Sequence, residues 1–134
     1  MKSKMNKKNL SLLVITLFQT ITFNVYSQKI NFNSNILIGK WDSYKVTTIE
    51  GGDGKDVTFD GKPFNKKLMI DFIDANKMSI SINNSERVKI SYQIKDSIIK
   101  INHYEYKIKL IKQNQLVLLE NWLLGNLIYL RKEE

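Results

Sequence analysis

Residues 78–102 read MSISINNSERVKISYQIKDSIIKIN. Met78, Ile80 and Ile82 alternate with Ser79, Ser81 and Asn83, and Val88, Ile90, Tyr92 and Ile94 alternate with Lys89, Ser91, Gln93 and Lys95. A strict two-residue period of apolar and polar side chains is the pattern of strands that bury one face. Asn84-Ser85-Glu86 and Asp96-Ser97 interrupt it as turns, so the segment reads as an antiparallel meander. Upstream, Leu68, Ile70 and Phe72 share a face opposite Met69 and Asp71, and residues 74–77 turn the chain. Downstream, Tyr106, Ile108 and Leu110 oppose Lys107, Lys109 and Lys112, and Gln113-Asn114 leads into Leu116 to Leu119. Gly125-Asn126 reads as a two-residue mirror turn into Leu127 to Arg131. That register sets Trp122 against Tyr129 and Glu120 against Arg131. Ahead of the meander, a first strand runs from Lys40 to Ile49 and stops at Glu50–Asp56, whose three glycines favour turns. The stretch onward to Lys67 contains Pro63, the only proline, and reads as a long loop with a short edge strand at Val57–Phe59. About eight strands joined by short turns are best resolved by closure, which removes the exposed edges. The expected fold is all-β, an up-and-down antiparallel β-barrel, with an open sandwich as the alternative.

The barrel occupies residues 36–134, behind a polar lead-in at 28–35 and a signal peptide helix at 1–27. Lys2, Lys4, Lys7 and Lys8 precede the apolar run LSLLVITLF at 10–18, and Val25-Tyr26-Ser27 offers the cut. The alternative, an uncleaved anchor, needs about 18 apolar residues, and Gln19, Thr20, Thr22 and Asn24 interrupt too soon. No stable membrane span is therefore expected after cleavage, and the product is periplasmic or secreted. Cysteine is absent, which excludes disulfides and lipid attachment through a cysteine. The formal charge is +8, but four lysines belong to residues 1–27, leaving 17 basic and 13 acidic groups in residues 28–134. The remaining lysines alternate along strands as on a solvated barrel face, without the basic–aromatic clustering of nucleic-acid binders, so no nucleic-acid partner is expected.

Gly39-Lys40-Trp41 on the first strand, the meander, and Arg131 at the end of the last strand together resemble small secreted bacterial lipocalin-like domains of the calycin superfamily, over residues 36–131. The resemblance implies that Gly39 lets the chain turn into strand one and that Trp41 plugs the closed end. It further implies that Arg131 lies across the Trp41 ring and bonds carbonyls of the N-terminal turn. The chain departs from the family in its short length and in lacking a helix after the last strand.

Such a barrel either fills with side chains or holds one small ligand. The candidate ligand-binding residues are Phe72, Ile80, Tyr92, Tyr106, Ile108 and Leu118, for a small apolar or amphipathic guest. The rival function is a protein-interaction module with a solid core, meeting a protein partner through an apolar tip at Trp122, Leu123 and Leu124 and the 50–67 loop. Catalysis is not expected: His103 is the only histidine and reads as an exposed turn residue, there is no thiol, and no nucleophile-elbow, phosphate-loop or dinucleotide pattern occurs. No cofactor is expected. Asp53, Asp56 and Asp60 carry oxygens suited to calcium, but their spacing departs from the 12-residue calcium loop and lysines intrude, so no metal site is assigned.

Overall fold

The computed structural model describes residues 33–65, 67–120 and 125–134. The signal peptide at 1–27, residues 28–32 of the lead-in, and Trp122, Leu123 and Leu124 lie outside the described residues. The strands are β1 (Gly39–Thr48), β2 (Thr58–Phe59), β3 (Lys62–Pro63), β4 (Leu68–Phe72), β5 (Lys77–Ile82), β6 (Val88–Ser91), β7 (Gln93–Lys95), β8 (Ile98–Ile101), β9 (Tyr104–Lys112), β10 (Gln115–Glu120) and β11 (Asn126–Lys132). Nine of them form one antiparallel sheet in the order β6-β5-β4-β1-β11-β10-β9-β8-β7, and β2 and β3 pair separately.

The two outer strands of that order, β6 and β7, are consecutive in sequence with only Tyr92 between them. The chain itself thus joins the sheet's edges. Counted as one bent strand, β6-Tyr92-β7 makes this a nearly closed, eight-stranded up-and-down barrel. The sequence reads 88–95 as one continuous strand; the structure breaks it at Tyr92, where the chain leaves β5 and starts pairing with β8. Tyr92 pins the bend to the β4–β5 turn. Its N–H donates to Asn76 O at 3.0 Å, its hydroxyl donates to Asp74 O, and its ring meets Phe72 edge-on at 5.4 Å. Two-residue mirror turns connect neighbouring strands where both central residues have positive φ, as at Asp96 (52°) and Ser97 (64°).

The first and last strands of the barrel pair directly, from Trp41↔Lys132 to Thr48↔Asn126, with a bulge at 43–45. At this closed base a one-turn 3-10 helix, Ser34–Leu37, precedes β1. Trp41 and Leu37 are fully buried, and Trp41 Nε1 donates to Leu37 O at 2.8 Å. The cation over the indole is Lys132, not Arg131. Lys132 Nζ stands 5.4 Å from the Trp41 ring and donates to Ile36 O at 3.2 Å. Arg131 instead lies 4.7 Å over the outward ring of Tyr44. Strand parity gives the reason, since adjacent residues point to opposite faces and Lys132 is the residue opposite Trp41. Gly39 has φ +127°, and a Cβ there would stand 2.8 Å from Lys132 Cε, so glycine serves both the backbone and the lysine's approach.

Two further expectations are corrected. Asn126 is already in β11, paired with Thr48, and Leu127 pairs with Leu119, so Gly125-Asn126 is no two-residue turn. Tyr129 consequently faces Val117, and Arg131 faces Gln115 and not Glu120. A Cβ on Gly125 would fall 2.2 Å from Glu120 O, so glycine is demanded there by close packing. A register shift between β9 and β10 at Val117/Leu118 also turns Leu110 out of the core; Ile111 packs against it instead.

Candidate functional site: the covered mouth of the barrel

At the end opposite Trp41, the barrel mouth is covered by the segment that follows β1. β4 pairs with β1 only from Gly39 to Asp42, so the upper half of β1 loses its neighbour on that side. The glycine-rich chain folds back along this free edge: Thr48 N–H donates to Gly52 O at 2.9 Å and Gly54 N–H to Val46 O at 3.3 Å. It then crosses the mouth, burying Val57, Phe59 and Phe64 in the same core as the barrel wall. The β2–β3 ribbon turns at Asp60 and Gly61, both with positive φ. A run as short as Val57-Thr58-Phe59 gives no periodicity that would reveal this role in the sequence.

Polar contacts fasten the cover to the rim. Phe59 stacks on Tyr106 with centroids 4.7 Å apart. The Tyr106 hydroxyl accepts from Asp60 N–H at 3.0 Å and donates to Thr58 O at 3.3 Å. Thr58 N–H donates to Glu120 Oε1 at 3.0 Å. Asn126 clasps the Lys55 backbone from both sides, Oδ1 accepting from the N–H at 3.3 Å and Nδ2 donating to the carbonyl at 3.0 Å. Burial pushes the Tyr106 phenol well above its ordinary pKa, and the charges of Glu120 and Asp60 add to that, although the bond from Asp60 N–H works against it. At working pH Tyr106 is therefore a neutral hydroxyl.

All six candidate ligand-binding residues are buried in one core. Within that core they lie in separate parts. Tyr106, Ile108 and Leu118 stand together on the β9–β10 wall, Tyr106 opposite Glu120 at the rim and Ile108 opposite Leu118 below it. Phe72 and Tyr92 meet at the base, and Ile80 lies on β5 opposite Ile70. Sequence reasoning missed Glu120, Asn126 and Thr58. The signal for Glu120 was present: it continues the inward parity of Leu116 and Leu118 and is buried, at 4 % exposure.

A cleft of about 390 Å³ runs between the β1 bulge and the cover, with Ser43, Tyr44 and Lys45 at its rim and Val46, Val57 and Phe64 toward the core. His103 lies in the exposed β8–β9 turn. Among the described residues no three His, Cys, Asp or Glu side chains gather as a metal site, and Asp53, Asp56 and Asp60 are not brought together. Compared with known proteins, the chain gives no match: no family model, no curated protein and no solved structure aligns with it significantly.

Proposed function

We propose that this is an exported, non-enzymatic, lipocalin-like barrel that takes up a small apolar or amphipathic molecule beneath the 50–65 segment. The observation that carries the reading is the construction of the mouth. A separate stretch of chain, held by three buried apolar side chains, a few hydrogen bonds and one aromatic stack, seals an apolar interior and leaves a cleft at its seam with β1. Displacing Phe59 and Thr58 opens the inner wall at Tyr106, Ile108 and Leu118 without breaking any strand of the nine-stranded sheet. The Trp41–Lys132 closure at the other end makes the mouth the natural way in. The export half of the proposal rests on residues 1–27 and is tested by the N-terminal residue of the protein recovered from its own cells; an intact Met1 on cell-associated protein overturns it.

Titrating fatty acids, alkyl alcohols, alkylamines, retinoids and haem while following Trp fluorescence tests the binding half. A dissociation constant below about 100 μM, roughly 5–6 kcal/mol, is the expected result for at least one class. Failure of every class at that level leaves the rival, a solid barrel acting as a protein-interaction module. The close burial of all six inward residues supports that second reading.

A further inference from the structure

Glu120 ends β10 at the barrel's mouth and is 4 % exposed. A carboxylate removed from water must recover its lost hydration from charges or hydrogen bonds. Here the partners are neutral: Thr58 N–H at 3.0 Å on Oε1, and Asn126 N–H at 3.5 Å and Nδ2 at 3.4 Å on Oε2. Among the described residues no cationic side chain pairs with it; the ion pair found there joins Lys67 and Asp42. The shortest of the three bonds comes from the cover, and Asn126 also holds the cover through Lys55. Lifting the cover withdraws Thr58 and leaves the Glu120 carboxylate facing the opening.

Directly below lies an apolar ladder. Glu120 is opposite Tyr106, and the next inward rung is Leu118 opposite Ile108, both fully buried. The inner wall therefore has an acidic head position and an apolar tail position, in that order from the rim.

The geometry points to a cationic amphiphile as the guest: a protonated amine whose ammonium takes the place of Thr58 N–H on Glu120, with the Tyr106 hydroxyl as its second partner and its tail along Leu118 and Ile108. This rests on the ligand-binding reading above and narrows it to a chemical class. The phenol, neutral at pH 7, offers an acceptor to the ammonium.

The test uses the full chain and three molecules with the same tail, decylamine, decanol and decanoate, titrated at pH 7 by calorimetry. Decylamine is expected to bind at least tenfold more tightly than decanol, with decanoate weakest. The chain's net charge of +8 would favour decanoate, so a preference for the amine has to arise locally. E120Q, which keeps the shape and the hydrogen-bonding oxygen, is expected to bring the amine within about threefold of decanol. Decanol or decanoate binding as tightly as the amine overturns the cationic-head assignment alone, as does E120Q retaining the preference. Binding of none of the three overturns this assignment, and the ligand-binding reading falls with it only if retinoids and haem fail as well. Should E120Q fail to fold, the amine-to-alcohol ratio of the unaltered chain decides.

Discussion

Replacing Lys132 by Met removes the ammonium from above Trp41 while keeping the aliphatic stem that packs near Gly39. Two interactions disappear. The cation–π contact, 5.4 Å from the ring centroid in a half-buried setting, contributes about 0.5–1 kcal/mol. The charged hydrogen bond to Ile36 O contributes about 1–1.5 kcal/mol, at or below the lower limit for charged partners because Lys132 is partly solvated. Together they predict a loss of about 1.5–2.5 kcal/mol. R131M removes only a contact over Tyr44, itself 45 % exposed, and should cost about 0.5 kcal/mol or less. Equilibrium urea unfolding followed by Trp fluorescence measures both; with a slope of about 1–3 kcal/mol/M, K132M lowers the midpoint by roughly 0.5–2.5 M. If R131M costs as much as K132M, or K132M unfolds like the unaltered chain, the assignment of the base to Lys132 is wrong.

Three other outcomes are expected. F59A deletes the stack on Tyr106 and should raise amide exchange at Thr58, Asp60 and Phe64 at least a hundredfold, about 3 kcal/mol, with strand amides much less affected; equal acceleration throughout would show that the cover has no separate stability. G125A places a Cβ against Glu120 O and should lower stability by about 1–3 kcal/mol in thermal unfolding, and a neutral result would contradict the close approach. Because folding raises the Tyr106 pKa above its ordinary 10.0, its contribution is complete below pH 10 and is lost as pH rises beyond it. Between pH 10 and 12 the unaltered chain should therefore lose up to about 1.4 kcal/mol per pH unit more than Y106F does; parallel profiles would show that the phenol is not buried as described.

The alternation within residues 68–119 was enough to determine that this is a meander of short antiparallel strands with one buried face. Period-two burial is a local property, set by the geometry of each strand whatever its neighbours do. The pairing of first and last strands was also legible, because closure is the simplest way for such a meander to satisfy its edges; the place of Trp41 was an implication of the family resemblance. Parity across paired strands was not legible. Which of Arg131 and Lys132 reaches Trp41 depends on the β1–β11 register, and whether Leu110 or Ile111 faces inward depends on a bulge; one residue of slip inverts a face, and nothing local specifies the slip. The break at Tyr92 likewise exists only because two sheet edges meet there. The covered mouth belongs wholly to tertiary structure. Val57, Phe59 and Phe64 are too few and too close to glycines to carry a pattern, and they are buried because residues distant in the chain, Tyr106, Glu120 and Asn126, present a rim that holds them.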